Sequence, residues 1–491
     1  MLLLGIDLGT SSIKVSVVDA QTQERIVSVS YPEIETEIIS KEPGWAEQSP
    51  DLWWEHVQQA ILKAHATGSY DPKNVSAIGI SYQMHGLVAV DKEGNVLRDS
   101  IIWCDSRAVE IGNHAFESLG PAFCLQHLLN SPGNFTASKL AWVKQHEPAL
   151  FEKIDKIMLP GDFIGLKLTG IATTSISALS EGVFWDFENN QLSKELFHHY
   201  GFSTSLIPEI RDVFSVHGEL TPTIAAKLSL TVGIPVSYKA GDQPNNALSL
   251  NVLEAGEVAA TAGTSGVIYG VHDTPTFDPQ SRINSFAHVN HTETQNRIGV
   301  LLCINGTGIL NRWMKNATGN LSYQEMNNLA ASVPVGSKGL KILPFGNGAE
   351  RMLENKIPGA QIQQLDLNIH TSAHLYRAAQ EGIAFAFRYG LDIMRENNMH
   401  PKVIRAGMAN MFLSNVFTES FVNTLNIPVE LYHCDGSVGA ALGAGIGSGY
   451  YRQAKEAFSK FASVKTVEPQ QTVAQYDELY QEWKTLLSKY L

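Results

Sequence analysis

Residues 5–14 read GIDLGTSSIK, with apolar runs on either side. A turn of glycine, threonine and serine between two strands aims backbone N–H groups and hydroxyls at one point, a concavity suited to phosphate oxygens. Gly9 removes a Cβ where an anion would touch main chain, Thr10 and Ser11 supply hydroxyls, and Lys14 supplies a positive charge. Asp7, on the strand leading in, could hold Mg2+ through water. Alone, the stretch also reads as a tight β-turn beside a solvated lysine, because short motifs recur by chance. A second copy shifts the balance. GEVAATAGTSGVIYGV (256–271) again sets Gly-Thr-Ser, at Gly263-Thr264, between two apolar runs. Two facing turns could clamp a polyphosphate from both sides.

The surrounding pattern shows what must hold these turns. Leu2–Asp7, Lys14–Ala20 and Arg25–Tyr31 read as a β-meander with turn residues between them. SPDLWWEHVQQAILKAHA (49–66) reads as a helix capped by Ser49, with Pro50 in its first position and Trp53, Val57, Ile61 and Ala64 on one face. Short strands follow at 77–81 and 87–91, with YQMHG between them. In the second half, 372–397 is an amphipathic helix, 402–406 a strand, and DGSVGAALGAGIGSGY (435–450) a run of small residues that permits close backbone approach. The tail from 452 reads as amphipathic helices. One such hairpin in each half implies two lobes, residues 1–247 and 248–491, packed and hinged because no Gly/Ser- or Pro-rich linker divides them.

Bulk properties limit the partners. The 491 residues are 44% hydrophobic and 17% charged, ordinary for a globular chain. A formal net charge of −13 argues against nucleic acid or an anionic membrane as the main partner. The four cysteines form no CxxC or Cys/His cluster, which suits a reducing compartment and no structural zinc. No secretory leader and no apolar run long enough for a membrane span is read, so the expected setting is the cytoplasm.

The first hairpin, its partner TAGTSG and the later IRAGMANMF resemble the phosphate and adenosine segments of the actin/hexokinase/Hsp70-like ATPase fold. Within that fold, QMHG (83–86), IIWCDSR (101–107), FTASKLAWVKQHEP (135–148), LPGDFIGLKLTG (159–170) and AGDQPNNA (240–247) resemble the FGGY carbohydrate kinases, with the xylulokinase branch as the best fit. The resemblance runs from residue 1 to about 450. It implies an α/β chain of two ribonuclease H-like (actin-like ATPase) lobes around a hinged central cleft. It also implies ATP and Mg2+ as cofactors and a small sugar as partner; a homodimer is expected only as the commonest oligomer of soluble proteins. The implied reaction is phosphorylation of a ketopentose such as D-xylulose. Another FGGY sugar or polyol, or a non-catalytic ATP or sugar sensor, are the alternatives.

Residue by residue, the resemblance makes Asp242 the general base, a role compatible with its also capping a helix. Met84 and His85 align with the substrate-contacting pair, Trp103 would wall the sugar pocket, and Asn134 would leave room for a sugar longer than three carbons. Asp105 and Arg107 read better as a bridging ion pair than as ligands. Thr10, Gly263 and Thr264 would meet phosphates, while Gly308 and the turn from Ala406 and Gly407 to Asn410 would lie against adenosine. RAGMANMF departs from the usual xylulokinase turn, AQIQQLDL (360–367) replaces a Gly-rich signature, and Glu350-Arg351 takes no assigned role.

Overall fold

The computed structural model describes residues 1–491. Its first half is built on a sheet in which β1 (Leu2–Leu8), β2 (Ile13–Asp19) and β3 (Arg25–Tyr31) form an antiparallel meander. Strand β4 (Val75–Tyr82) joins β1 in parallel, β5 (Gly218–Glu219) forms the far edge, and β6 (Pro235–Gly241) joins β4 in parallel. The order is β5-β6-β4-β1-β2-β3. The second half repeats the design. Strands β7 (Val258–Ala262) and β8 (Gly266–His272) form the hairpin, with β9 (Asn284–Ala287) and β10 (Ile298–Ile304) beyond it. Strands β11 (Ile404–Gly407) and β12 (Val429–Tyr432) continue in parallel, and β13 (Lys465–Val467) closes the edge, giving β9-β10-β8-β7-β11-β12-β13. A three-stranded antiparallel unit followed by two parallel strands, twice over, is the pair of ribonuclease H-like lobes that the repeated hairpin predicts.

Nine helices are needed to place the site: α1 (Pro50–Ala66), α2 (Thr136–His146), α3 (Ile176–Glu181), α4 (Asp242–Ser249), α5 (Gly308–Ala317), α6 (Tyr323–Ala331), α7 (Ser372–Glu396), α8 (Gly436–Gly447) and α9 (Val473–Leu487). Helix α1 begins as its sequence requires, with the Ser49 hydroxyl accepting from the Leu52 N–H and Pro50 in the first turn. Its Trp53, Val57, Ile61 and Ala64 share a core with Leu4, Ile6 and Leu8 on one face of β1. Leu3, on the opposite face, packs with Ala440, Ala441 and Ala444 of α8. Both faces of this sheet are therefore covered, which is why β1 reads as an unbroken apolar run.

Helix α8 is the small-residue run 435–450, and its destination crosses the halves of the chain. It lies against β1 and β4, so close that a Cβ on Gly5 would stand 1.8 Å from the Ser437 carbonyl oxygen, and one on Gly79 1.9 Å from that of Ala440. The Ser237 hydroxyl of β6 donates to the Ala444 carbonyl at 2.8 Å, and the Ser16 and Ser437 hydroxyls share a 2.8 Å hydrogen bond. The tail departs from expectation. Only α9 is an α-helix there, and β13 pairs with β12 through Val429 and Val467, a strand too short to show a period. Helix α7 also differs from its one-face pattern. It is buried on most sides, and its inward Arg377 and Glu381 pair at 2.8 Å. No helix is long and apolar enough to cross a membrane.

Candidate active site

Strand β6 ends at Gly241 and α4 begins at Asp242, so this carboxylate stands at the C-terminal edge of a parallel strand, where open α/β sheets present ligand-binding groups. Asp242 is not the cap it could have been: the capping position is Gly241, which leaves the carboxylate in the first turn. Its Oδ1 is buried and has no hydrogen-bond partner. Burial first, and then the negative charge of Asp7, hold the carboxyl up at about 7, within reach of a proton-accepting role at neutral pH.

The turn after β4 brings in Met84 and His85. The Met84 thioether lies over Gly241, its sulfur 3.3 Å from where a Cβ would be. His85 is in the left-handed region (φ 60°) and is fixed at three points. Its N–H donates to Glu181 Oε1 at 3.2 Å, its carbonyl accepts from Lys139 Nζ at 2.8 Å, and its Nδ1 lies 3.1 Å from the Glu181 carbonyl. A carbonyl can only accept, so Nδ1 carries the proton. Burial, with the charges of Lys139 and Arg351, pushes the ring down to about 3, so it is neutral and Nε2 is an acceptor that meets no protein group. Phe135 packs edge-on at 4.8 Å and Phe286 reaches across from β9 at 5.5 Å. Asn134 donates its amide to the Asp105 carbonyl, and its buried Oδ1 has no partner.

Trp103 is 53% exposed and so is not core filling. Its indole N–H donates to Thr10 Oγ1 at 3.0 Å, while that hydroxyl donates to Gln83 Oε1 at 3.2 Å. One threonine thus ties the first glycine turn to the segment that precedes Met84. Asp105 and Arg107 form the internal brace expected of them. Arg107 grips both Asp105 oxygens, donates to Glu47 at 2.8 Å and stacks on Trp45 at 3.8 Å, with all three charged side chains buried.

The two glycine turns differ in detail from the simplest reading. The Gly9 N–H is taken by the Ser12 carbonyl at 3.1 Å, which leaves the N–H groups of Thr10, Ser11 and Ser12 without backbone partners. Lys14 is committed to Asp435 at 3.0 Å and is not a free charge over the turn. Asp7 carries no ion pair, and burial raises its carboxyl, with Asp435 adding to the effect. On the second turn, the carbonyls of Gly263 and Thr264 accept from the N–H groups of Gly308 and Ile309 at 2.9 and 3.1 Å. A Cβ on Gly308 would stand 2.3 Å from the Gly263 oxygen, so only glycine lets α5 start there.

A cavity of about 380 Å³ opens beside that turn, lined by Gly263, Thr264, Gly308 and Asn410, with Met411, Leu413 and Ser414 beyond. Asn311 and Arg312 of α5 and Tyr323 and Asn327 of α6 complete it. These four were not singled out in the sequence, although Asn311 and Arg312 sit three and four residues after Gly308, one helical turn along the same face. Ala406 is not brought to the cavity. It is buried inside β11 between Ala260 and Leu431, because the strand runs on to Gly407 before the chain turns. Gly407 itself is pressed on Cys434, whose sulfur would lie 2.7 Å from an added Cβ. Arg351, given no role from sequence, brings a half-buried guanidinium held only by Ser281, at 2.9 and 3.0 Å. Glu350 accepts from the Asn305 and Gly306 N–H groups at 3.0 and 3.2 Å and so fixes the approach to α5.

The family model for the N-terminal domain of the FGGY carbohydrate kinases matches residues 2–249, and that for the C-terminal domain matches residues 258–448. The chain is an FGGY carbohydrate kinase. Similar proteins include the xylulose kinase of Haemophilus influenzae, 31% identical over 411 residues that cover 82% of this chain and 81% of that protein. The xylulose kinase of Bacillus subtilis is 28% identical over 500 residues, covering 98% and 96%. The crystal structure of xylulose kinase from Rhodospirillum rubrum superposes with a TM-score of 0.88 at 25% identity, covering 100% of this chain and 99% of that one. The kinase takes ATP as its phosphoryl donor, in keeping with its family.

An adenosine role for the cavity makes a defined prediction for this kinase. Asn410→Ala removes an amide beside Gly263 and should raise KM for ATP by about five- to tenfold, the worth of one ordinary hydrogen bond, with KM for sugar unchanged. Initial-rate measurements with each substrate varied in turn check it.

Proposed function

We propose that this kinase transfers the γ-phosphoryl group of MgATP to the primary hydroxyl of D-xylulose, giving D-xylulose 5-phosphate. The observation that carries the reading is the imbalance of the Asp242 site. Asp242 Oδ1 and Asn134 Oδ1 are buried acceptors without donors, and a polyhydroxylated ligand brings the donors they lack, with His85 Nε2 a further acceptor beside them. Asp242 takes the proton of the attacking hydroxyl, Met84 and Trp103 offer apolar surface to the carbon skeleton, and the Thr10–Ser12 and Gly263–Ser265 turns receive phosphate oxygens. Asp7 suits Mg2+: a carboxylate with no ion pair at the phosphate turn matches a cation that binds through one carboxylate, phosphates and water. Mg2+ would neutralise phosphate charge there. The proposed hinge lies near residue 247, where α4 leaves the first sheet. A cytoplasmic setting fits four cysteines that are all free thiols, and the small-molecule partners are the sugar and ATP.

The test is ADP release with Mg2+ in the presence of D-xylulose, D-ribulose, L-fuculose, glycerol or no sugar. Stimulation strongest with D-xylulose is expected. Preference for another sugar would move the substrate and keep the mechanism, and no stimulation by any sugar would end the kinase reading of the Asp242 site.

A further inference from the structure

Glu181 closes α3 directly beneath the Met84–His85 turn, and nothing in its sequence context distinguishes it. The side chain is buried and its two oxygens are used unequally. Oε1 accepts the His85 N–H at 3.2 Å, whereas Oε2 is equally buried and has no partner. That free oxygen lies between the two segments that form the sugar site. A Cβ on Gly241, the residue before Asp242, would be 2.6 Å from it, and the same point lies 2.8 Å from Met84 Cγ. The charged groups around it offer no bond: Asp242 and Asp162 are like-charged, and Lys139 spends its ammonium on the His85 carbonyl. A carboxyl oxygen removed from water and given no protein partner leaves a place for a ligand atom.

We propose that Glu181 is a further substrate-binding residue, its Oε2 hydrogen-bonding an oxygen of the bound ketose beside the hydroxyl that Asp242 deprotonates. The inference rests on the ketopentose reading above. Burial, with the Asp242 charge added, pushes the Glu181 carboxyl well above the usual range and so keeps its proton. With Oε1 held as an acceptor by the His85 N–H, that proton falls on Oε2. Glu181 then adds a donor to a site whose other buried unpartnered atoms, Asp242 Oδ1 and Asn134 Oδ1, are acceptors. The keto oxygen or a neighbouring hydroxyl oxygen of the open-chain ketose can accept that proton, and a substrate with a methylene at that point leaves it unpaired.

The experiment separates contact from support. Glu181→Met keeps the bulk and removes both hydrogen bonds, and Glu181→Gln keeps an acceptor for His85 and a donor at the Oε2 position. Each variant is assayed with D-xylulose, its 3-deoxy and 4-deoxy analogues and the 2-deoxypentitol, in which the keto carbon is replaced by a methylene, with urea unfolding as a control for folding. In the wild type, one analogue should lose about tenfold or more in kcat/KM relative to D-xylulose. In Glu181→Met that analogue and D-xylulose should become equal, with KM for ATP unchanged, and Glu181→Gln should stay within about threefold of wild type throughout. A Glu181→Met variant that loses the same factor with every substrate would show that Glu181 only holds the turn, and would overturn the proposal. So would a wild type that treats all four alike. If Glu181→Met does not fold, the proposal stands or falls on Glu181→Gln and the wild-type analogue series. A wild type inactive on D-xylulose yet active on another sugar counts against the substrate reading, and the series is then run on that sugar.

Discussion

Asp242→Asn is expected to lower kcat by about 10³-fold or more, near the upper range for loss of a positioned general base, while sugar binding persists. The same variant should be the more stable protein at alkaline pH. In the folded chain Asp242 ionises at about 7, against an ordinary 3.8. Below about pH 4 the carboxyl is protonated in both states and the difference vanishes. Between pH 4 and 7 the unfolded chain ionises while the folded one holds its proton, so stability falls as pH rises. Above about 7 the loss is complete and level, on the order of 4 kcal/mol for a shift of this size. Asparagine keeps the shape and removes the charge, so unfolding in urea should require more denaturant than wild type at pH 8 and nearly the same below about pH 4. The free wild-type enzyme should lose kcat/KM about tenfold per unit below pH 7, because only ionised Asp242 can take a proton. Turnover surviving in Asp242→Asn would mean that another group receives the proton. Equal stability at both pH values would mean that the buried charge is already compensated.

What was legible in the sequence was what is local. A Gly-Thr-Ser turn between two apolar runs announces a hairpin wherever it occurs, and two of them announce two lobes. Asp242 was legible through the resemblance carried by AGDQPNNA, and the structure sets it directly after a parallel strand. Residues whose role depends on a distant partner were not. Lys14 is read as a free charge until Asp435, far along the chain, is folded beside it. Ala406 is read at the junction of strand and turn, because RAGMAN contains no marker of where one gives way to the other, and pairing with β7 and β12 is what holds it inside β11. Glu181 and Lys139 carry no local pattern, since a carboxyl or an ammonium on a short helix is usually solvated. Only the closed turn of His85 buries both. The run of small residues at 435–450 announced close approach and gave no partner for it.

That partner makes Gly5→Ala and Gly79→Ala the other substitutions of large expected effect. At both positions the added Cβ meets the main-chain carbonyl oxygens of α8, at 1.8 Å from Ser437 and 1.9 Å from Ala440. A side chain in the way could change rotamer, whereas a helix carbonyl moves only with its helix. Overpacking of this kind commonly costs about 1–3 kcal/mol, and contact with backbone puts both variants at or above the top of that range. Urea unfolding should show it against Gly68→Ala, where nothing lies within 4 Å and only a left-handed φ of 68° is strained. The consequence reaches the site, because α8 opens at Gly436, where a Cβ would be 2.5 Å from Asp7 Oδ2. Helix α8 lifted from β1 would carry Asp435 and Gly436 away from Asp7 and Lys14. Any Gly5→Ala protein that folds should therefore show a raised KM for ATP and an unchanged KM for sugar. Wild-type stability in both variants would mean that α8 does not rest on this sheet. Lost stability with an unchanged KM for ATP would mean that the sheet bears the helix without setting the phosphate turn.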